Sequence, residues 1–144
     1  MSRRIISVNL SGRQFLRWLG RVWVFPIAVP IWILYILPFW AFGLLEKREA
    51  ERDVAVFSPV MKSGWWRSLW GGWNGHALPF CIIMRKECLR QTFWHEFRHT
   101  DQWLALGVLF PLVYLAGLIF CGYGNHPLEN DANRYAERMI DKKE

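Results

Sequence analysis

The sequence predicts an α+β chain, mainly α, with an N-terminal transmembrane anchor. Three observations lead there. Residues 22–45 run for 24 positions without a charge, and a helix needs about 20 apolar residues to cross a bilayer. Helices are expected at 88–106 and from Pro127 onward, where Leu128, Ala132, Tyr135, Ala136 and Met139 recur at helical spacing. Two apolar stretches, 54–61 and 78–84, have the length of strands. The division expected is a basic arm and anchor at 1–45, followed by one domain at 46–144.

The composition agrees. Of the 144 residues 53% are hydrophobic and 17% aromatic, with ten tryptophans, which is rich for a soluble domain of this size. The net charge of +6 would suit nucleic acid, but no nucleic-acid motif accompanies it, so none is expected as a partner. Arg3, Arg4, Arg13, Arg17 and Arg21 precede the uncharged run with no acid among them, an arm suited to anionic lipid headgroups. The lipid bilayer is therefore the first partner expected.

The elements follow in chain order. Trp23, Trp32, Tyr35 and Trp40 fit a membrane segment, and Pro26, Pro30 and Pro38 are better tolerated there than in a water-soluble helix. The run is too long for a signal-peptide core and no A-x-A site follows it, so it reads as an uncleaved anchor. The competing reading is a buried hydrophobic hairpin that turns at the prolines. Residues 46–53 carry mixed charge and read as a solvated connector or helix end; 54–61 reads as extended. Residues 63–76 interleave Gly64, Gly71, Gly72 and Gly75 with Trp65, Trp66, Trp70 and Trp73. This predicts a loop whose tryptophans contact membrane, substrate or the small core, and leaves His76 as a surface or loop histidine. Residues 78–84 read as one strand, with Pro79 suited to a sheet edge. Cys81, Cys88 and Cys121 make an odd number without C-x-x-C, so no disulfide framework is expected.

The helix at 88–106 contains His95-Glu96-Phe97-Arg98-His99, an H-E-x-x-H pattern. On a helix, His95 and His99 lie one turn apart on the same face and can grip a single Zn²⁺. Glu96 stands beside them, where it can take a proton from water. The bland alternative is a helix whose histidines merely bridge to carboxylates. A catalytic zinc commonly has three protein ligands. Asp101 faces away from the histidine stripe. Glu129 is better placed, one turn into a helix that Pro127 opens and that Asn125 or His126 can cap. Its own bland reading is a favourable charge at a helix N-terminus.

These residues resemble a family. H-E-x-x-H followed by P-L-E-x-[DE]-A-x-R is similar to the gluzincin metallopeptidases, over roughly 77–139. The resemblance is closest to bacterial families with H-E-x-x-H-x-x-Q and a later E-x-E-A-D-R, and more distant to membrane-embedded CAAX prenyl endopeptidases and heat-shock membrane peptidases. It implies a zincin-like minimal metallopeptidase domain, small and membrane-associated. It also implies His95, His99 and Glu129 as zinc ligands, Glu96 as catalytic base and Gln102 as the family glutamine. Asn133 stands where the family usually has an Asp that orients a ligand histidine, and an amide is a weaker partner for imidazole than a carboxylate. Such zincins stabilise the oxyanion with a Tyr, His or Arg; His126, Arg134 and Tyr135 are the candidates beside Glu129. They also bind the substrate backbone on an edge strand just before the active helix, for which 78–84 is the candidate.

The apolar run at 103–123 is long enough to cross a membrane, yet it separates His99 from Glu129. A straight crossing would leave them about 30 Å apart. The run is therefore expected to turn back, to lie in the interface or to be buried in the domain, with Gly107 and Pro111 as break points. The arginines of the arm favour an inside N-terminus and an extracytoplasmic domain, by a slight margin because Lys47, Arg48, Arg52 and Lys62 follow closely. The function expected is a membrane-anchored zinc metalloendopeptidase acting on a peptide or protein substrate. Its rival is a small structural or assembly protein of a membrane or phage-particle (virion) complex with a non-catalytic zinc site.

Overall fold

The structure, a computed structural model, describes residues 12–48, 54–60, 68, 74–88 and 90–141, and of 12–17 the backbone only. Arg3, Arg4, the tryptophans of the glycine-rich segment and most of the charged connector lie outside the described residues. What is described is α+β and mainly helical.

Helix α1 (Gly12–Ile31) continues through a π-helical turn at Trp32–Ile36 into α2 (Leu37–Ala41). Pro26 and Pro30 sit inside this helix without folding it into a hairpin. The small strands β1 (Leu45–Lys47), β2 (Ala55–Pro59), β3 (Gly75–Leu78) and β4 (Cys81–Met84) form one sheet in the order β1-β2-β4-β3. β2 and β4 are parallel, and the other pairs antiparallel. Then come α3 (Arg90–Leu106), a 3-10 turn at Gly107–Leu109, α4 (Phe110–Cys121), a second 3-10 turn at Tyr123–Asn125 and α5 (Pro127–Asp141).

Two sequence expectations need correction here. The single strand expected at 78–84 is two strands. Leu78 pairs with Cys81 across a two-residue turn at Pro79 and Phe80. Proline fixes the first position, and Phe80 takes a φ of 61° at the second. The Pro79 carbonyl accepts Trp32 Nε1–H at 3.1 Å, and that of Phe80 accepts the Ala55 amide at 3.0 Å. These bonds hold a turn that local preference alone would not choose. The charged connector is likewise not all loop, because Leu45–Lys47 pairs with Phe57–Pro59 as a sheet edge.

The sheet has helices on both faces. Val56, Ile82 and Met84 pack against Phe93, Trp94 and Phe97 of α3 and Ala136 of α5. Phe57, Cys81 and Ile83 pack the other way, with Leu45 against Ile36 of the π-turn. Strand β4 is therefore apolar along its whole length, as a strand covered on both sides must be. Burying each of its isoleucines contributes about 2 kcal/mol. Ile36 and Leu45 share one core.

The N-terminal half of α1 packs on the end of α3. Gly20 lets the backbones touch: a Cβ there would lie 2.5 Å from the Leu104 carbonyl oxygen. Val24 and Ala28 continue the same buried stripe. Beyond it the chain breaks at Gly107, whose φ of +55° only glycine adopts readily. A Cβ on Gly107 would lie 1.7 Å from Trp23 Nε1. The chain turns back at this point, and Tyr114 of α4 comes to stand 6.3 Å, ring to ring, from His99 of α3.

The outer surfaces of α1, α2 and α4 are apolar and bare. Trp18, Val22, Phe25, Ile33 and Leu34 are exposed on the first helix, as are Leu112, Leu115, Ile119 and Phe120 on α4. Most of the segment 103–123 is therefore exposed, with Trp103, Gly107 and Phe110 as its buried members. By length and composition two helical stretches, Trp18–Ala41 and Arg90–Cys121, could cross a membrane, although the second is bent at Gly107.

Candidate metal centre

Helix α3 carries His95 and His99 one turn apart, facing α5. The two helices are fastened by Arg98, whose Nε–H donates to Asp131 Oδ2 at 2.7 Å. Gln102 adds two bonds, donating from Nε2 to the Leu128 carbonyl at 3.0 Å and to Asp131 at 2.9 Å. Since the Gln102 amide donates there, its oxygen faces His99 and accepts from Nδ1 at 2.7 Å. Asn133 Oδ1 does the same for His95 Nδ1 at 2.8 Å. Both rings thus direct Nδ1 at an amide oxygen, and both turn Nε2 towards the space between α3 and α5.

Into that space Glu129 also points. His95 Nε2 and His99 Nε2 are 3.1 Å apart, His95 Nε2 is 3.2 Å from Glu129 Oε2, and His99 Nε2 is 3.3 Å from Glu129 Oε1. These nitrogens and oxygens converge on one point, an arrangement that suits a cation. The spacing fits one: at bonds of about 2.0–2.1 Å, tetrahedral ligands lie about 3.3 Å apart. Glu129 Oε2 is buried without a hydrogen-bond partner, which also suits a ligand oxygen awaiting a metal. Two imidazoles and one carboxylate are a donor set that suits zinc. Burial of Glu129 opposes its ionisation, but His95, His99 and Tyr114 outweigh that and hold its carboxyl well below the usual range. It is anionic at neutral pH.

Glu96 is buried beside this group and lines the same cleft. Burial raises its carboxyl above the usual range, against the pull of His99 and His95. It also accepts a bond from the Ala77 amide. The cleft, of about 840 Å³, is walled by Gly75, His76 and Ala77 of β3, by Thr92 of α3, by Phe110 and Tyr114 of α4, and by Tyr123. The edge strand at the site is therefore β3, Gly75–Leu78, and not the stretch 78–84 that the sequence suggested. Ala77 is already engaged there, its carbonyl accepting Trp103 Nε1–H at 3.2 Å. His76 is in this strand rather than in a loop or on the surface. Burial lowers its pKa to about 4, so it is neutral.

All three expected oxyanion donors are displaced. His126 is fully buried, and both its ring nitrogens are engaged elsewhere: Nε2–H donates to the Tyr114 carbonyl at 2.8 Å, while Nδ1 accepts the Leu128 and Glu129 amides at 3.2 and 3.4 Å. It is the cap of α5, the role foreseen for it or Asn125. Arg134 is exposed and outside the cleft lining. Tyr135 packs against Trp94 and Phe97 with the Arg98 guanidinium over its ring. Helical spacing explains this: residues 129 and 133 share the face towards α3's histidines, and 134 and 135 turn away from it.

The tyrosines at the site are Tyr114, whose hydroxyl donates to Glu129 Oε1, and Tyr123, which lines the cleft. Sequence reasoning passed over them because they lie in or at the end of an apolar run. The available signal was Tyr114 itself, a hydroxyl in a helix otherwise made of apolar residues. The three cysteines are free and stand apart from the site.

Comparison of the chain with protein-family models, with curated proteins and with solved structures finds no match.

Proposed function

We propose that this chain is a membrane-anchored zinc metalloendopeptidase with a zincin-like domain. The observation that carries the proposal is the convergence of His95 Nε2, His99 Nε2 and the two Glu129 carboxylate oxygens through contacts of 3.1–3.3 Å, in an open cleft. A structural zinc site would be closed by a fourth protein ligand. Among the described residues the clustered metal-binding groups number only these three, which favours hydrolysis over a purely structural site.

His95, His99 and Glu129 would hold the ion. When bound, zinc supplies Lewis acidity, polarising a carbonyl and making water a better nucleophile near neutral pH. The chain's own residues do the rest. Glu96 takes the proton of the attacking water and delivers it to the leaving amine. Asn133 and Gln102 fix the imidazole orientations. Tyr123, exposed at the cleft wall, would donate to the developing oxyanion, in place of His126, Arg134 or Tyr135. The testing experiment is hydrolysis and metal content of the purified protein with and without Glu96, treated in the Discussion.

On the same reading α1 with α2 forms the membrane anchor, and α4 re-enters the bilayer without crossing it. Large bare apolar faces in water are rare on soluble monomers. Two expected results follow. Phe25→Glu together with Leu34→Glu changes only bare outward positions, 60% and 75% exposed. The pair is expected to shift the protein from the membrane fraction towards the soluble one while its helix content holds. Unchanged fractionation would contradict the anchor. Secondly, cysteines introduced at Arg90 and Asn125, in a background lacking Cys88 and Cys121, are expected to react with an impermeant thiol reagent from the same side of the membrane. Cys81 is fully buried and can stay. Labelling from opposite sides would mean that Arg90–Cys121 crosses, and would exclude Glu129 from the metal.

A further inference from the structure

Helix α4 is tied to the metal group at two points. The Tyr114 hydroxyl donates to Glu129 Oε1, and the Tyr114 carbonyl accepts His126 Nε2–H at 2.8 Å. His126 in turn accepts the Leu128 and Glu129 amides on its other ring nitrogen, so it holds the first turn of the helix that carries Glu129. The two rings lie against each other, with centroids 4.4 Å apart. Gly117 makes this possible: a Cβ there would stand 2.3 Å from His126 Nε2. The result is a closed ring of contacts, from Tyr114 through His126 to the start of α5, through Glu129, and back to the Tyr114 hydroxyl.

We propose that Tyr114 is a positioning residue for the metal: with His126 it holds the Glu129 carboxylate in the ligand position, so that the apolar helix α4 is part of the metal centre. The proposal rests on zinc binding at His95, His99 and Glu129. A carboxylate has two oxygens and a rotating end. Tyr114 takes one lone pair of Oε1, which leaves the rest of that oxygen towards His99 and the buried Oε2, without a hydrogen-bond partner, towards His95. His126 does the same for the backbone by fixing where α5 begins. Groups that orient a ligand from behind commonly contribute about 10- to 100-fold in metal affinity. The same contacts give a reason for an apolar segment between His99 and Glu129: it brings the tyrosine.

The test is titration of the full-length, metal-free protein in detergent with Co²⁺, followed by competition with Zn²⁺. Tyr114→Phe keeps the ring and removes the hydroxyl. It is expected to lower metal affinity by about tenfold or more and to change the visible spectrum of bound Co²⁺, with helix content retained. A merely structural tyrosine would leave that spectrum alone. Gly117→Ala, which pushes His126 off the Tyr114 carbonyl, is expected to weaken binding in the same direction with the tyrosine intact. Wild-type affinity and spectrum in both variants would overturn the assignment of Tyr114 and leave the metal site standing. A wild-type protein that binds no Co²⁺ would instead remove the metal site itself, and this inference with it.

Discussion

Glu96→Gln is expected to keep one metal ion per chain and to lose peptide hydrolysis by about 10²- to 10⁴-fold, the range for removal of a general base. Glu96 is not among the clustered ligand atoms, so the amide leaves the metal's donors intact. Glutamine is nearly isosteric and can still accept the Ala77 amide bond through its carbonyl oxygen, so the packing against β3 survives. What it cannot do is accept and return a proton. Cleavage of a peptide library by purified wild type and variant, with metal content measured on the same samples, checks this. Equal cleavage by the two proteins would end the proposed mechanism. A metal-loaded wild type that cleaves nothing in the library would favour the rival reading of an assembly protein.

His99→Ala is expected to abolish stoichiometric zinc. The ring is buried, and it offers one of the three clustered ligand atoms found among the described residues. Its loss leaves one imidazole and one carboxylate, too few for a tightly held ion. It also leaves the Gln102 amide oxygen without its partner. Elemental analysis of the purified variant is the measurement, and one retained zinc per chain would show that the ligands lie elsewhere.

Much of the site was legible because its parts are local. The spacing of His95, Glu96 and His99 requires only a helix, and Pro127 with a capping residue places Glu129 one turn into the next. Asn133 and Gln102 were reached only through the resemblance to the gluzincins. What was not legible depends on how helices face one another. Three donors were sought near Glu129 in sequence, yet a helix turns about 100° per residue, so Arg134 and Tyr135 point away while Asn133 points in. Tyr114 reaches Glu129 only because the chain reverses at Gly107. The break itself could be argued from the need to bring His99 and Glu129 together, but not which side chain the reversal would deliver. The strand error has a similar cause. Apolar residues from 78 to 84 read as continuous, whereas the Pro79-Phe80 turn is held by Trp32 and Ala55, both distant in sequence. The long N-terminal helix was legible as an apolar run; that its inner face would pack on α3 and on the sheet was not, since burial against protein and burial in lipid select the same residues.

The ligands around a bound zinc test the proposed site most directly. Zinc X-ray absorption on the full-length protein, purified in detergent and loaded with one equivalent, reports the ligand types. Two imidazoles and oxygen donors, with no sulfur and with a position open to solvent or inhibitor, is the result expected from His95, His99 and Glu129. A shell containing cysteine sulfur, a shell closed by four protein ligands, or failure to hold an equivalent of zinc would contradict it.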